Sequence, residues 1–399
     1  VRQGVEYRHS IAKNVSPLDL SALKHNFIHL RDRVTAVSPA TAPMCVVKAD
    51  AYGHSVALCV PALYEAGARH FAVSSIEEAE QIYEILDAED HVAETILILG
   101  YTPPESDNVK ALAREHITQA VYSAEYARAL SERMVALQNA GVLGRTDVVR
   151  CHIKLNSGMN RLGVDTHEAA ASETVREICA IAALPGIRID GVFSHFACAD
   201  EEDVGMTDMQ FARYRRVVDA CEAAGVHFAK KHICNSAGAL RFPAMYQDFV
   251  RLGIVLYGLS PSAAAADPAL IPVMRLKSRI AHIHTVHAGD CISYGAEFRA
   301  SGEMRVATIP IGYADGFIRA YKNGGTVMVG GRAAKLLGRV CMDQCMVDVT
   351  GLDAAVGDFV YIFDASGENI ERLCRAADTI NYEALCLVSK RVPRVAVNG

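Results

Sequence analysis

Between residues 16 and 257, short apolar runs alternate with longer segments whose apolar residues recur every three or four positions, and the alternation repeats eight times. A run that is apolar throughout suits a strand covered on both faces, whereas three-and-four spacing suits a helix with one buried side. Strands are expected near 44–47, 70–74, 95–99, 117–122, 148–155, 189–196, 226–234 and 249–257. The helices before them are expected at 16–37, 56–68, 76–88, 107–114, 124–140, 166–183, 207–224 and 236–245. In the first helix Leu18, Leu20, Leu23, Phe27 and Leu30 keep the spacing, and Ser16 is the expected N-cap. Strict alternation implies a parallel sheet, because a crossover must return the chain to the start of each new strand. Eight repeats favour the α/β class and a closed (β/α)8 TIM-type barrel. The runner-up is a doubly wound open sheet, whose G-x-G-x-x-G turn is absent.

Near residues 268–272 the texture changes. Apolar and polar residues then alternate in 274–286, 305–311, 326–329 and 359–363, separated by glycine-rich turns at 323–326 and 330–332. This pattern predicts a mostly antiparallel β domain with one helix around 369–378. The expected division is a barrel over 1–270 and a C-terminal β domain over 271–399.

A net charge of -6, with both signs dispersed, gives no electrostatic footprint for nucleic acid. No apolar stretch reaches membrane-spanning length, and the opening VRQGVEYRH has no apolar signal core. The 12 cysteines are scattered without C-x-x-C pairs, which reads as free thiols in a reducing cytoplasm. Cys341 and Cys345 lack zinc spacing, and His282 with His284 makes only a pair on one strand face, so no metal site is expected.

In a barrel of this type the C-terminal strand ends form the active face. Those ends carry Lys48; Lys154 with Asn156, Ser157 and Arg161; Ser194 and His195; Asn235 and Ser236; and Arg251 with Gly253. Singly, each has an ordinary explanation: a snorkelling lysine, a satisfied core histidine, a helix N-cap, a surface ion pair. Gathered at one mouth, they describe a ligand. Asn235 and Ser236 open a helix and suit a phosphate. His195 is flat enough to lie on a ring, Arg251 can donate to a ring nitrogen, and the Lys48 amine can form an imine with an aldehyde. Phosphate, ring, ring nitrogen and aldehyde together describe pyridoxal 5'-phosphate.

The same residues carry a family resemblance. VVKADAYGH (46–54) resembles the cofactor-lysine signature of alanine racemases, the fold-type III pyridoxal-phosphate enzymes. KLNSGMNRLG (154–163), SHFACADE (194–201), NS (235–236) and RLGIVLYG (251–258) are similar to further family segments. So are SYG (293–295), IPIGYADG (309–316), GRVCMDQ (338–344) and TINYE (379–383). They follow the family's order from near residue 45 to near 395.

The resemblance implies racemisation of L- and D-alanine, supplying D-alanine for peptidoglycan, by two bases on opposite faces. Lys48 is then the cofactor-linked lysine and one base. Tyr294 is the other, reaching the partner's site in a head-to-tail homodimer with shared sites. Tyr52, Asn235, Ser236, Gly253, Ile254 and Tyr382 are expected around the phosphate, with His195 on the ring and Arg251 at its nitrogen. Arg161 and Met342 are expected to orient the substrate carboxylate. His232 is expected to back Arg251, and Lys154 matches a lysine that is carbamylated in some family members. Asp200, Tyr313, Arg319, Arg339 and Asp343 fall around the entrance with Cys198, which stands where the family pattern suggests threonine. A racemase of broader or different specificity, acting on serine or lysine, would keep the catalytic residues and differ at that entrance. A regulatory cofactor-binding protein and a decarboxylase of the same fold type fit 293–295 and 341–343 less well.

Overall fold

The computed structural model describes residues 12–114 and 116–398. Eight parallel strands form the first body: β1 (Ala42–Val46), β2 (His70–Val73), β3 (Thr95–Ile98), β4 (Ile117–Val121), β5 (Val149–Asn156), β6 (Ile187–Phe193), β7 (Lys230–His232) and β8 (Phe249–Leu252). Each pairs with its neighbours in sequence. The sheet closes because β8 pairs with β1, setting Phe249 opposite Ala42, and β4 with β5, setting Gln119 opposite Cys151.

The helices that cover this barrel are α1 (Leu20–Val37), α2 (Val56–Glu65), α3 (Ile76–Asp87), α4 (Ser106–Leu112), α5 (Ala124–Asn139), α6 (Ala171–Ala182), α7 (Gly205–Ala223) and α8 (Ser236–Arg241). The closed (β/α)8 architecture expected from the alternation is therefore present, with polar strand ends gathered on one face.

Three local expectations differ. Asp19, not Ser16, caps α1, its carboxylate accepting the Ala22 amide at 3.0 Å. Ser16 instead begins a short strand, Ser16–Asp19, paired in parallel with Arg394–Val397 at the far end of the chain. Strand β7 has three residues, since the Val226 amide is spent on the Cys221 carbonyl that closes α7. Strand β8 stops at Leu252 and runs into a 3-10 turn, Ile254–Tyr257, whose four side chains are all buried. A fully buried turn has the same apolar composition as a buried strand, so periodicity does not separate them.

The second body is an antiparallel sheet of seven strands: β9 (Leu276–Arg279), β10 (His282–Val286), β11 (Met304–Ile309), β12 (Thr326–Val329), β13 (Arg332–Leu337), β14 (Cys345–Asp348) and β15 (Phe359–Phe363). Their order is β9-β15-β12-β13-β14-β11-β10. Helices α9 (Glu368–Ala377) and α10 (Asn381–Leu387) follow, and α10 returns to the barrel mouth. Among the described residues no helix is long and apolar enough to cross a membrane.

Candidate active site

Lys48 follows β1 after the single residue Val47, and the chain then does something no local signal announces. Ala49, Asp50, Ala51 and Tyr52 all have φ between 53 and 56°, a left-handed helical turn built without glycine. Each such residue costs about 1–2 kcal/mol, so the turn persists only because its surroundings hold it. The Asp50 carboxylate accepts the Val56 amide at 2.7 Å. Glu78 accepts the Ala49 amide at 2.7 Å, and Arg394 donates to the Gly53 carbonyl at 2.9 Å. His54 is buried, bonded to the carbonyls of Ala51 and Tyr52, and stacked on Tyr257 at 4.4 Å. At Gly53, where φ is 78°, an added Cβ would lie 2.5 Å from the Leu385 carbonyl oxygen. The turn is thus wedged between barrel and α10. Burial and the charge of Arg161 push the Lys48 ammonium below its ordinary pKa, with Glu78 opposing them.

A second cluster centres on Arg251, which is buried at the end of β8. It donates to His232 Nδ1 at 2.7 Å, to His195 Nδ1 at 3.1 Å, and to the carbonyls of Ser194 and Ile233 at 2.8 and 3.0 Å. All these contacts use its two terminal nitrogens, and among the described residues its Nε–H has no protein acceptor. Because a guanidinium only donates, His232 Nδ1 and His195 Nδ1 accept, and the proton of each ring sits on Nε2. His232 Nε2–H then points at His152 Nδ1, 3.0 Å away. Burial, followed by the Arg251 charge, drives His195 and His232 well below the usual histidine pKa. Burial also brings His152 down to about 4. Arg251 itself is lowered by burial to about 10 and remains a cation at neutral pH.

Lys154 lies beside this cluster, its ammonium nitrogen 5.0 Å from the Phe193 ring centroid and 3.3 Å from the Leu155 carbonyl. Burial, with Arg251 and Arg161 nearby, pushes it well below its ordinary pKa, toward the neutral form that carbamylation requires. Arg161 is exposed at the rim, and its charge reaches Lys48, Lys154 and His195.

The third cluster is a cradle of hydroxyls. The Ser236 hydroxyl accepts the Gly253 amide at 2.9 Å, leaving its own hydrogen free to donate. Asn235 caps α8 by accepting the Gly238 amide at 2.9 Å. A Cβ on Gly253 would sit 2.6 Å from the Tyr52 hydroxyl and 3.6 Å from that of Ser236, so the glycine leaves room for both. Ile254 follows at the start of the buried turn. Tyr382, on α10, has its ring 6.0 Å from that of Tyr52. Burial raises both phenols above their usual pKa, so both remain O–H donors. A concentration of hydroxyl donors around a glycine is suited to an oxyanion such as phosphate.

Most of the remaining expected residues lie on the second body, apart from Asp200. Tyr294 is 69% exposed and Met342 is 54% exposed, and they line one open pocket with Ser293, Cys341, Asp343 and Gln344. Tyr313 is joined to it, its amide donating to the Cys341 carbonyl at 3.0 Å. Arg339 pairs with Glu297 at 2.5 Å and Asp343 with Arg391 at 2.8 Å, while Arg319 is exposed. Asp200 lies in the rim loop, tied by its carbonyl to the Ser262 hydroxyl at 2.5 Å. No described hydrogen bond, ion pair or ring contact joins Tyr294 or Met342 to the Lys48 cluster of the same chain. Three contributors were not singled out from the sequence: Glu78, Arg394 and His152. His152 stands two residues before Lys154 on β5, so period-two alternation would have placed both on one face.

Two family models match the chain: the N-terminal domain of alanine racemase over residues 18–261 and the C-terminal domain of alanine racemase over 273–396. The alanine racemase of Desulfovibrio desulfuricans is 40% identical over 386 residues, covering 95% of this chain and 97% of its own. That of Desulforamulus reducens is 37% identical, covering 95% and 98%. Among solved structures, alanine racemase from Streptomyces coelicolor superposes with a TM-score of 0.85 at 32% identity, covering 98% of this chain and 100% of that one. The Bacillus anthracis enzyme, solved with bound L-Ala-P, gives 0.84 at 30% identity, covering 97% and 95%.

Proposed function

The chain belongs to the alanine racemase family and interconverts L- and D-alanine, and from that premise we propose how its own residues carry the reaction with pyridoxal phosphate. The site fits that group: an amine of depressed pKa, a hydroxyl cradle around Gly253, and a buried arginine with a donor to spare lie at one mouth. Lys48 would hold the aldehyde carbon, and the hydroxyls of Tyr52, Ser236 and Tyr382, the backbone near Gly253 with the Ile254 amide, and Asn235 would surround the phosphate. His195 would lie on the ring. Bound pyridoxal phosphate supplies the electron-withdrawing system that acidifies the Cα–H of an attached amino acid.

Racemisation then needs one group to take a proton from one face of Cα and another to deliver one to the opposite face. Lys48 Nζ serves the first face, its lowered pKa keeping more of it in the basic form at neutral pH. Tyr294 Oη, from a second copy of the chain, serves the other, so the working unit is a homodimer with shared sites. The exposure of Tyr294 and Met342 on the second domain supports this arrangement. Arg251 would offer its Nε–H to the ring nitrogen, and a cation there disfavours protonation of that nitrogen. Arg161 and the Met342 amide would hold the substrate carboxylate, with Lys154 and His232 as supports behind them. Tyr313, Asp200, Arg319, Arg339 and Asp343 would narrow the entrance in favour of a small side chain. Peptidoglycan synthesis is the matching role, and for the cytoplasm as its compartment the support is 12 cysteines that are all free thiols.

The observation that carries this reading is Arg251: a buried cation whose hydrogen bonds among the described residues go to histidine nitrogens and carbonyls, with no carboxylate among them, beside the Lys48 amine. Borohydride treatment of the holoenzyme is expected to fix the cofactor to Lys48. Label on another lysine overturns the assignment.

A further inference from the structure

Glu78 stands at the third position of α3, where S-x-x-E (75–78) reads as an ordinary capping box. Half of the box is present, since Ser75 accepts the Glu78 amide at 3.4 Å. The carboxylate goes elsewhere. One oxygen accepts the Ser74 amide at 2.7 Å, and the other accepts the Ala49 amide at 2.7 Å, 29 residues upstream. Ser74 follows β2 and Ala49 follows Lys48, so a single side chain ties the ends of two neighbouring barrel strands. It does so at the first residue of the left-handed turn. Arg161 from the β5 loop, Arg251 from β8 and Cys386 from α10 are the other ionisable groups whose charge reaches Lys48. Glu78 is the one carboxylate in that set.

We propose that Glu78 is a positioning residue for Lys48: its carboxylate bridges the Ala49 and Ser74 amides, locks the turn that carries the lysine, and sets one negative charge at the amide of the next residue. The inference rests on Lys48 being the working lysine, and it is tested first without cofactor so that the two can fail separately. In the cofactor-free full chain, acylation of Lys48 by an activated ester is followed across a pH series by peptide mass spectrometry. With Glu78→Gln the labelling curve moves to lower pH, because the charge that favours the ammonium is gone. With Glu78→Asp the charge stays and the curve stays with the wild type. A purely structural clamp would leave both curves unmoved.

In the holoenzyme both variants lose roughly 10- to 150-fold in kcat/KM, the scale of one hydrogen bond to a charged acceptor, since the Glu78→Gln amide has one acceptor oxygen and the Glu78→Asp side chain is one methylene too short to span both amides. A wild-type labelling curve for Glu78→Gln overturns the electrostatic role. Wild-type kcat/KM in Glu78→Asp overturns the clamp, and that result stands even if Glu78→Gln does not accumulate as folded protein.

Discussion

Gly253→Ala tests the hydroxyl cradle where it is tightest. The glycine has φ of -116°, outside the left-handed region, and the space a Cβ would need is already filled. The added methyl would lie 2.6 Å from the Tyr52 hydroxyl oxygen and 3.3 Å from the carbon that bears it, well inside van der Waals contact. Tyr52 has little room to yield. It is 8% exposed, its ring is 5.0 Å from Tyr257 and 6.0 Å from Tyr382, and its backbone belongs to the left-handed turn. Overpacking of this kind costs about 1–3 kcal/mol. If the strain is relieved by moving the Tyr52 hydroxyl, a hydrogen bond to a charged phosphate worth about 1.5–3 kcal/mol is lost. Cofactor affinity is then expected to fall roughly 10- to 150-fold. Titrating the cofactor-free variant with pyridoxal phosphate, followed by absorbance, reads the affinity directly, and a melting curve reports whether the fold survives. Wild-type affinity in a normally folded Gly253→Ala variant would refute the assignment of this cradle to phosphate.

If the sites are shared, mixing Lys48→Ala and Tyr294→Phe chains under subunit exchange restores one wild-type site in each mixed dimer. About a quarter of wild-type activity is then expected from an equal mixture, half the dimers being mixed with one of two sites intact. A mixture as inactive as its parents would place both bases on one chain. A second expectation concerns acid. His54 and His152 are depressed by burial to about 3 and about 4, from an ordinary 6.5. The unfolded chain therefore binds protons that the folded chain refuses. The stability these rings contribute is full above about pH 6.5 and is lost as pH falls toward 4 for His152 and toward 3 for His54, on the order of 3 kcal/mol for His152. Urea midpoints measured through that range are expected to fall less steeply for His152→Gln than for the wild type. Parallel curves would exclude the ring as a source.

The barrel was legible because its cause is local and repeated. Strands buried on both faces must be apolar throughout, helices with one buried side must be apolar every three or four residues, and eight such units leave few topologies. Strand ends were legible for the same reason, so Lys48, Lys154, His195, Ser236 and Arg251 could be grouped before any distance was known. Other features depend on contacts between distant segments. Ser16 reads as a helix cap, but its strand is claimed by Arg394–Val397. Glu78 reads as half of a capping box, but its carboxylate is claimed by Ala49.

The residue order thus determined the fold class, the face that carries chemistry, and the residue types gathered there, since these follow from short-range periodicity. Only the folded chain decided how Lys48 is held. Four left-handed residues without a glycine are unfavourable by themselves and exist because α3, α10 and Arg394 grip them from segments near and far in the chain. Likewise, the protonation of His232 follows from Arg251 on one side and His152 on the other, two donor and acceptor demands that meet only when β5, β6, β7 and β8 stand in order in the closed barrel.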